Sequence, residues 1–251
     1  VRRVIFRSII GGYAPSVRLR KDYDMPRGIQ KKGIIREEKM LSAAIELFLK
    51  NGYEKTSTAS IAKAAGLSDS SFFAAFENKE ALLRRLVEKM YEAQFLQSDA
   101  LLPDKGDPVF LYSAETALQL HITELSEPLR ELYVTAYTLP TTAEYIITQT
   151  AKKLQKLFAD FLPDATPKDF YEMDLASSGI TRSFMARPCD FYFTMEDKLS
   201  RYLSCTLTLY HVPSGQQLDI ISSILNMDLR TIAANMIDNM IRRAKNQFAS
   251  V

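Results

Sequence analysis

From Arg36 onward the apolar positions of the chain recur with a helical period. In REEKMLSAAIELFLKNG, Leu41, Ala44, Ile45 and Phe48 fill an i, i+3, i+4, i+7 stripe, and Asn51-Gly52 supplies the stop. The segments TSTASIAKAAG and SDSSFFAAF predict two short helices, and Asn78 opens a long one through NKEALLRRLVEKMYEAQFLQ. Further on, Pro108, Pro128, Pro140, Pro163, Pro167, Pro188 and Pro213 cut the chain into helix-length pieces. They predict helices near 108–126, 128–139, 141–161, 168–187, 194–211 and 216–247, the last broken near Asn226. The stretch CTLTLYHV alternates like a strand, yet Leu199, Tyr202, Leu203, Leu207 and Tyr210 continue a helical stripe. A lone strand would also leave its backbone groups unsatisfied. The expected fold class is all-α, without internal repeats or low-complexity tracts.

Residues 56–75 have the chemistry of a helix-turn-helix. Ser57 or Thr58 can cap the first short helix and satisfy its leading amides. Ile61 and Ala65 are expected in the core, and Ala62 is small enough for the next helix to cross closely. Gly66 supplies the left-handed turn that a side chain resists. Ser68 is placed to cap the second helix, which should bury Phe72 and Phe76 and present Asp69, Ser70, Ser71, Phe73 and Ala74. In this motif the N-terminal end of the second helix enters the major groove.

Charge sharpens the picture. Residues 1–40 hold 11 Lys/Arg against 4 Asp/Glu, and the remainder holds 21 against 26, so a net +2 conceals a basic front on an acidic body. Such a front suits a polyanion, because phosphate neutralisation supplies much of the affinity for nucleic acid; a solvated basic tail is the alternative for residues 1–24. The dipeptide Met25-Pro26 is the expected natural start, and residues 1–24 are set aside from the fold. The stretch VRRVIFRSIIGG is too short and too charged for a signal segment or a membrane span. A 251-residue chain with 47% hydrophobic and 25% charged residues has ordinary globular composition. Cys189 and Cys205 are expected as reduced, buried thiols, and the expected compartment is cytoplasmic.

The stretch from Arg36 to about Tyr91, with GYEKTSTASIAKAAGLS followed by FF..F.NKEAL, resembles the DNA-binding head of the tetracycline-repressor (TetR) family of transcriptional regulators. The resemblance implies a basic N-terminal extension over 1–32, a three-helix helix-turn-helix DNA-binding domain over 33–91, and a larger helical effector-binding and dimerisation domain over 92–251. Position by position, it implies phosphate contacts at Ser57, Thr58 and Lys79, and base or water-bridged contacts at Ser68, Asp69, Ser70 and Ser71. Phe73 stands where the family usually has a phosphate-binding Tyr, and Ala74 and Ala75 replace polar or aromatic residues. With no Lys or Arg on the recognition helix, base discrimination is expected to rest on serines, on thymine-methyl contacts of Phe73 or Ala74, and on DNA shape. Lys31, Lys32, Arg36 and Lys39 are expected to compensate at the backbone.

The resemblance also implies a homodimer on a palindromic double-stranded operator, with recognition helices about 34–36 Å apart. The dimer is expected on the 168–187 helix and the C-terminal helix, where Ile220, Ile221, Ile224, Leu225, Leu229, Ile232, Ala233, Met236, Ile237, Met240 and Ile241 either form an interface or close the monomer core. It implies a small-molecule effector, mildly favoured as apolar or aromatic, in a pocket drawn from Phe110, Leu118, His121, Tyr133, Tyr137, Tyr145, Met173 and Phe184. A repressor is the expected sign of regulation.

Other function classes fare worse. The sequence has no GxGxxG, GxxxxGK[ST], HExxH, GxSxG or CxxC. No catalytic residues, metal or cofactor are expected, and no membrane partner. His121 reads as a core or pocket histidine, and His211 as a cation near a helix C-terminus. The alternatives are a helical interaction module with a degenerate helix-turn-helix, kept open by Phe73 and the uncharged recognition helix, and a small-molecule-binding enzyme.

Overall fold

The computed structural model describes residues 27–89 and 107–248, with side chains over 32–89 and 107–242. The readings of residues 1–24, of Met25 and of the far end of the Asn78 helix lie outside the described residues.

Helix α1 (Arg27–Asn51) begins nine residues before the expected Arg36. The extra turns carry two glycines and no capping side chain, so nothing in the sequence marks their start. The helix ends as expected: Gly52 adopts φ +85 and its amide returns to the Phe48 carbonyl at 2.9 Å. Helices α2 (Thr58–Ala64), α3 (Asp69–Phe73) and α4 (79–89) complete an N-terminal head. The Asn78 side chain caps α4 through the Ala81 amide at 2.8 Å.

The body comprises α5 (Pro108–Leu125), α6 (Glu127–Ala136), α7 (Pro140–Leu157), α8 (Pro167–Ala186), α9 (Met195–Leu209), α10 (Ser214–Leu225) and α11 (Leu229–Phe248). The chain is all-α, with no strand among the described residues. Proline occupies the first turn of α5 through α8, where its missing N–H costs nothing. Asp107, Ser126, Thr166 and Thr194 cap α5, α6, α8 and α9; the last two form capping boxes with Asp169 and Asp197. The strand-like CTLTL is the end of α9. Its helix stops at Leu209, short of the expected 211, because His211 turns left-handed at φ 58 while Val212 N–H closes onto the Leu207 carbonyl at 3.0 Å.

Two hydrophobic cores result. One sits inside the head, around Met40, Leu41, Phe48, Ile61, Phe72 and Leu82. The other fills the body between α5, α7, α8, α9, α10 and α11. Ala136 and Ile146 of the body are buried in the head core, and Tyr137 packs against both.

One alternative is filled in part and one expectation needs correction. The apolar residues of the C-terminal helices serve the monomer core: α11 packs along α5 and α1, burying Leu229, Ala233 and Met236, and α10 buries Ile220, Ile221 and Ile224. Leu225, Ile232, Ile237, Met240 and Ile241 of the same helices stay half-buried. The cysteines are not both buried, since Cys189 is half-buried and Cys205 lies exposed on the outer stripe of α9; both are free thiols.

Candidate nucleic-acid interface

The helix-turn-helix is built by local hydrogen bonds. The Ser57 and Ser60 side chains each accept from the other's backbone amide at 3.1 Å, a reciprocal box that starts α2. Its far end closes when Leu67 N–H reaches the Ala62 carbonyl at 2.9 Å, which requires Gly66 at φ +68. Ile61 and Ala62 face inward, fully buried, and Phe72 and Phe76 clamp α3 from below. The two aromatic rings stand 5.7 Å apart.

The outward face of α3 is made of short hydroxyls, one carboxylate and one ring. Ser68 occupies the cap position, but its hydroxyl makes no cap bond to the backbone. Instead it pairs with Ser70 Oγ at 3.0 Å and Ser71 Oγ at 2.9 Å. The expected capping role is therefore replaced by a three-hydroxyl cluster whose free lone pairs and rotatable protons face outward. Asp69, Ser70 and Ala74 are exposed, whereas Ser71 is half-buried. Phe73 is 61% exposed, its ring held edge-on against Phe72 at 5.4 Å.

The cations are arranged differently from expectation. Because α1 starts at Arg27, Lys31 and Lys32 stand on helix and not on an arm. Lys32, Arg36 and Lys39 follow an i, i+4, i+7 stripe of α1, Lys32 exposed and the other two half-buried. The Lys31 side chain lies outside the described residues. The Lys79 ammonium donates to the carbonyls of Tyr53 at 2.9 Å and Thr56 at 3.1 Å and sits 4.1 Å from the Tyr53 ring centre. It locks α4 to the loop before α2, which leaves one of its three N–H groups for a phosphate. Ser57 is exposed and Thr58 half-buried at the start of α2, flanked by exposed Lys55 and Lys63. Neither lysine was among the contacts expected from the sequence.

The head is tied to the body at a definite seam. Glu131 of α6 accepts the Glu54 backbone N–H at 2.6 Å, and Thr141 at the start of α7 donates to Glu80 of α4 at 2.8 Å. Tyr145 packs on the head core with the Arg84 guanidinium 5.9 Å from its ring centre. A side chain at Gly52 would collide with the Glu131 carboxylate.

Seven of the eight candidate pocket residues divide between this seam and the body core. Tyr137 and Tyr145 belong to this seam. Leu118 is fully buried, and Phe110, Tyr133, Met173 and Phe184 pack half-buried on the body core. Burial pushes the Tyr133 hydroxyl up to about 12. His121 is half-buried near the end of α5; burial, with help from Arg230, lowers its pKa to about 4 and keeps it neutral at pH 7.

What lies between α5, α8 and α9 instead is a polar cluster. The buried stripe of α8 runs Phe170, Asp174, Ser177, Ser178, Thr181, Met185. Ser177 donates to Asp174 Oδ1 at 2.7 Å and pairs with the Tyr210 hydroxyl at 2.8 Å; Thr181 pairs with the Tyr202 hydroxyl at 3.1 Å. Burial pushes the Asp174 carboxyl up to about 7 against the hydrogen bond from Ser177. Four polar residues on a buried helical stripe, between Phe170 and Met185, were the available signal.

Among the described residues no helix is long and apolar enough to cross a membrane, and no cluster of His, Cys, Asp or Glu has the makings of a metal site. Residues 40–86, the core of the head, match the family described as bacterial regulatory proteins, tetR family. The chain is also 28% identical over 214 residues to the uncharacterized HTH-type transcriptional regulator YuxN of Bacillus subtilis (strain 168). That match covers 82% of this chain and 63% of the relative, so the chain spans less than two thirds of the relative's length. With its capped helix-turn-helix, the head over residues 40–86 is similar to the tetR family of bacterial regulatory proteins, and it is carried on an all-helical body.

Proposed function

We propose that the protein is a sequence-specific transcriptional regulator, a repressor, that binds a palindromic double-stranded operator as a homodimer. Residues 33–91 act as the reading head and 92–251 as the sensing and dimerising body. The observation that carries this reading is the outward face of α3: Asp69, Ser70 and Phe73 are exposed on a helix whose opposite face is fixed by Phe72 and Phe76. Serine hydroxyls reach base edges directly or through water, and the Phe73 ring suits thymine methyl groups. Phosphate affinity falls to Ser57, Thr58, Lys79 and the α1 cations. Effector binding in the body shifts the head through the seam, where Glu131 and Thr141 grip the loop before α2 and the start of α4. The effector acts only through its different affinities for the two arrangements.

Selection of bound fragments from a random duplex library tests this. A palindrome with half-sites one helical turn or more apart is the expected result; equally weak binding to every duplex would instead favour a helical interaction module. On the selected site, replacing Lys31 and Lys32 together with alanine should weaken binding on all sequences and flatten the salt dependence by about one to two units of slope. An unchanged slope removes α1 from the interface.

A further inference from the structure

We propose that Asp174 anchors a ligand site in the body, and that its ligand is an organic cation on an aromatic or apolar frame, a protonated amine in its simplest form. The inference rests on the effector reading above and gives it a chemical class.

Asp174 is 2% exposed, and only one of its oxygens is satisfied. Oδ2 is buried without a hydrogen-bond partner among the described residues. Among the described residues only burial and the Ser177 hydroxyl act on its charge, and no cation there pairs with it. A buried polar atom without a partner is rare in native proteins, and a buried unpaired carboxylate rarer. An ionised Oδ2 can only accept, so the partner it lacks is a donor. The missing group must donate a hydrogen bond, and a positive donor also cancels the buried charge.

The surroundings fit a flat cationic molecule. Tyr210 stacks on Phe158 at 4.5 Å, and Tyr112 stands edge-on to both, 5.3 Å from Phe158 and 6.3 Å from Tyr210. Tyr202 meets Phe184 at 5.7 Å on the other side. Electron-rich ring faces attract a cation, and more so away from water. Tyr112 and Phe184 are half-buried at the edge of the cluster, whereas Tyr202 and Tyr210 are at most 1% exposed. Ser177 links Asp174 to Tyr210, so the unpartnered carboxylate and these rings belong to one buried neighbourhood.

Calorimetric titration of the full chain with three probes of similar shape tests the assignment: phenethylamine, 2-phenylethanol and phenylacetate. The amine should bind at least about 10-fold more tightly than the alcohol, and phenylacetate not measurably. Asp174→Asn should weaken the amine by about 10- to 100-fold and leave the alcohol unchanged. Tyr202→Phe, which keeps the carboxylate, should retain the preference for the amine. Equal binding of amine and alcohol, an amine indifferent to Asp174→Asn, or no amine binding at millimolar concentration would overturn the proposal and leave Asp174 as the seat of a buried water. The effector reading has its own readout in operator affinity. If the alcohol or phenylacetate shifts it, that reading stands without the cation; if the amine binds at Asp174 and does not shift it, the site stands without the effector role.

Discussion

Removing the Glu124 carboxylate should destabilise the protein by about 3–5 kcal/mol, because it strands a buried ammonium. Lys198 is 1% exposed, and its Nζ donates to Glu124 Oε2 at 2.7 Å and to the Arg187 carbonyl at 2.5 Å. Both Glu124 oxygens also accept the Cys189 N–H, at 3.0 and 3.1 Å. Burial pulls the Glu124 pKa up, but Lys198 and the Cys189 amide outweigh it and hold the carboxyl below its ordinary value. Its contribution is therefore present above the usual Glu range and is lost as pH falls through the lowered value. In Glu124→Ala the ammonium keeps only a carbonyl and the Phe193 ring, 5.8 Å away. The loop between α8 and α9 loses its tether at the same time. Replacing Lys198 with methionine in that background should recover much of the loss, since an apolar side chain of similar volume needs no partner. Urea denaturation of the two single variants and the double variant reads the coupling; a Glu124→Ala protein within about 1 kcal/mol of wild type would show that water reaches Lys198.

This latch also marks where sequence reading stops. Glu124 and Lys198 are 74 residues apart, and nothing in either neighbourhood announces the pairing. What the sequence does announce is local. The Pro-started, Ser/Thr/Asp-capped helices of the body were legible within a few residues, because those signals act inside one turn. The beginning of α1 was not, because residues 27–35 carry no local signal of either kind. The same division runs through the head. Gly66, Ile61, Phe72 and Phe76 stand where their chemistry predicts, since turn geometry and helical period decide them. Lys79 is turned toward Tyr53 and Thr56 by a contact across 26 residues of chain, and Ser68 gives up its backbone cap for neighbouring hydroxyls.

Most large apolar residues close a core, and here they do: Leu118 is sealed, and Tyr137 and Tyr145 were drawn into the seam. The α8 stripe is informative for the opposite reason. A carboxylate and three hydroxyls on a buried face need partners, so they point to a network or a ligand. Which helices surround them depends on tertiary packing, which is why Tyr112, Tyr202 and Tyr210 could not be assembled from sequence.

Asp174→Asn should make the ligand-free protein more stable at pH 8, by an amount on the order of 3 kcal/mol, and the gain should disappear near pH 4. Burial raises the carboxyl from an ordinary 3.8 to about 7, so the folded protein holds this proton more tightly than the unfolded chain does. A raised value means that stability is fully present below the unfolded value and is lost as pH climbs through the folded one. Wild type should therefore weaken relative to the neutral asparagine variant between about pH 4 and 7. The groups that face Asp174 do not blur the comparison: burial keeps the Tyr112, Tyr202 and Tyr210 hydroxyls above their ordinary range, hence protonated throughout. Thermal midpoints of both proteins across pH 4–8 measure the effect. A constant difference would mean that Asp174 does not titrate in this window, while a difference that opens with pH would place an uncompensated charge in the resting body. Binding a cation would remove the penalty of such a charge in the liganded state alone, which is the differential affinity a switch requires.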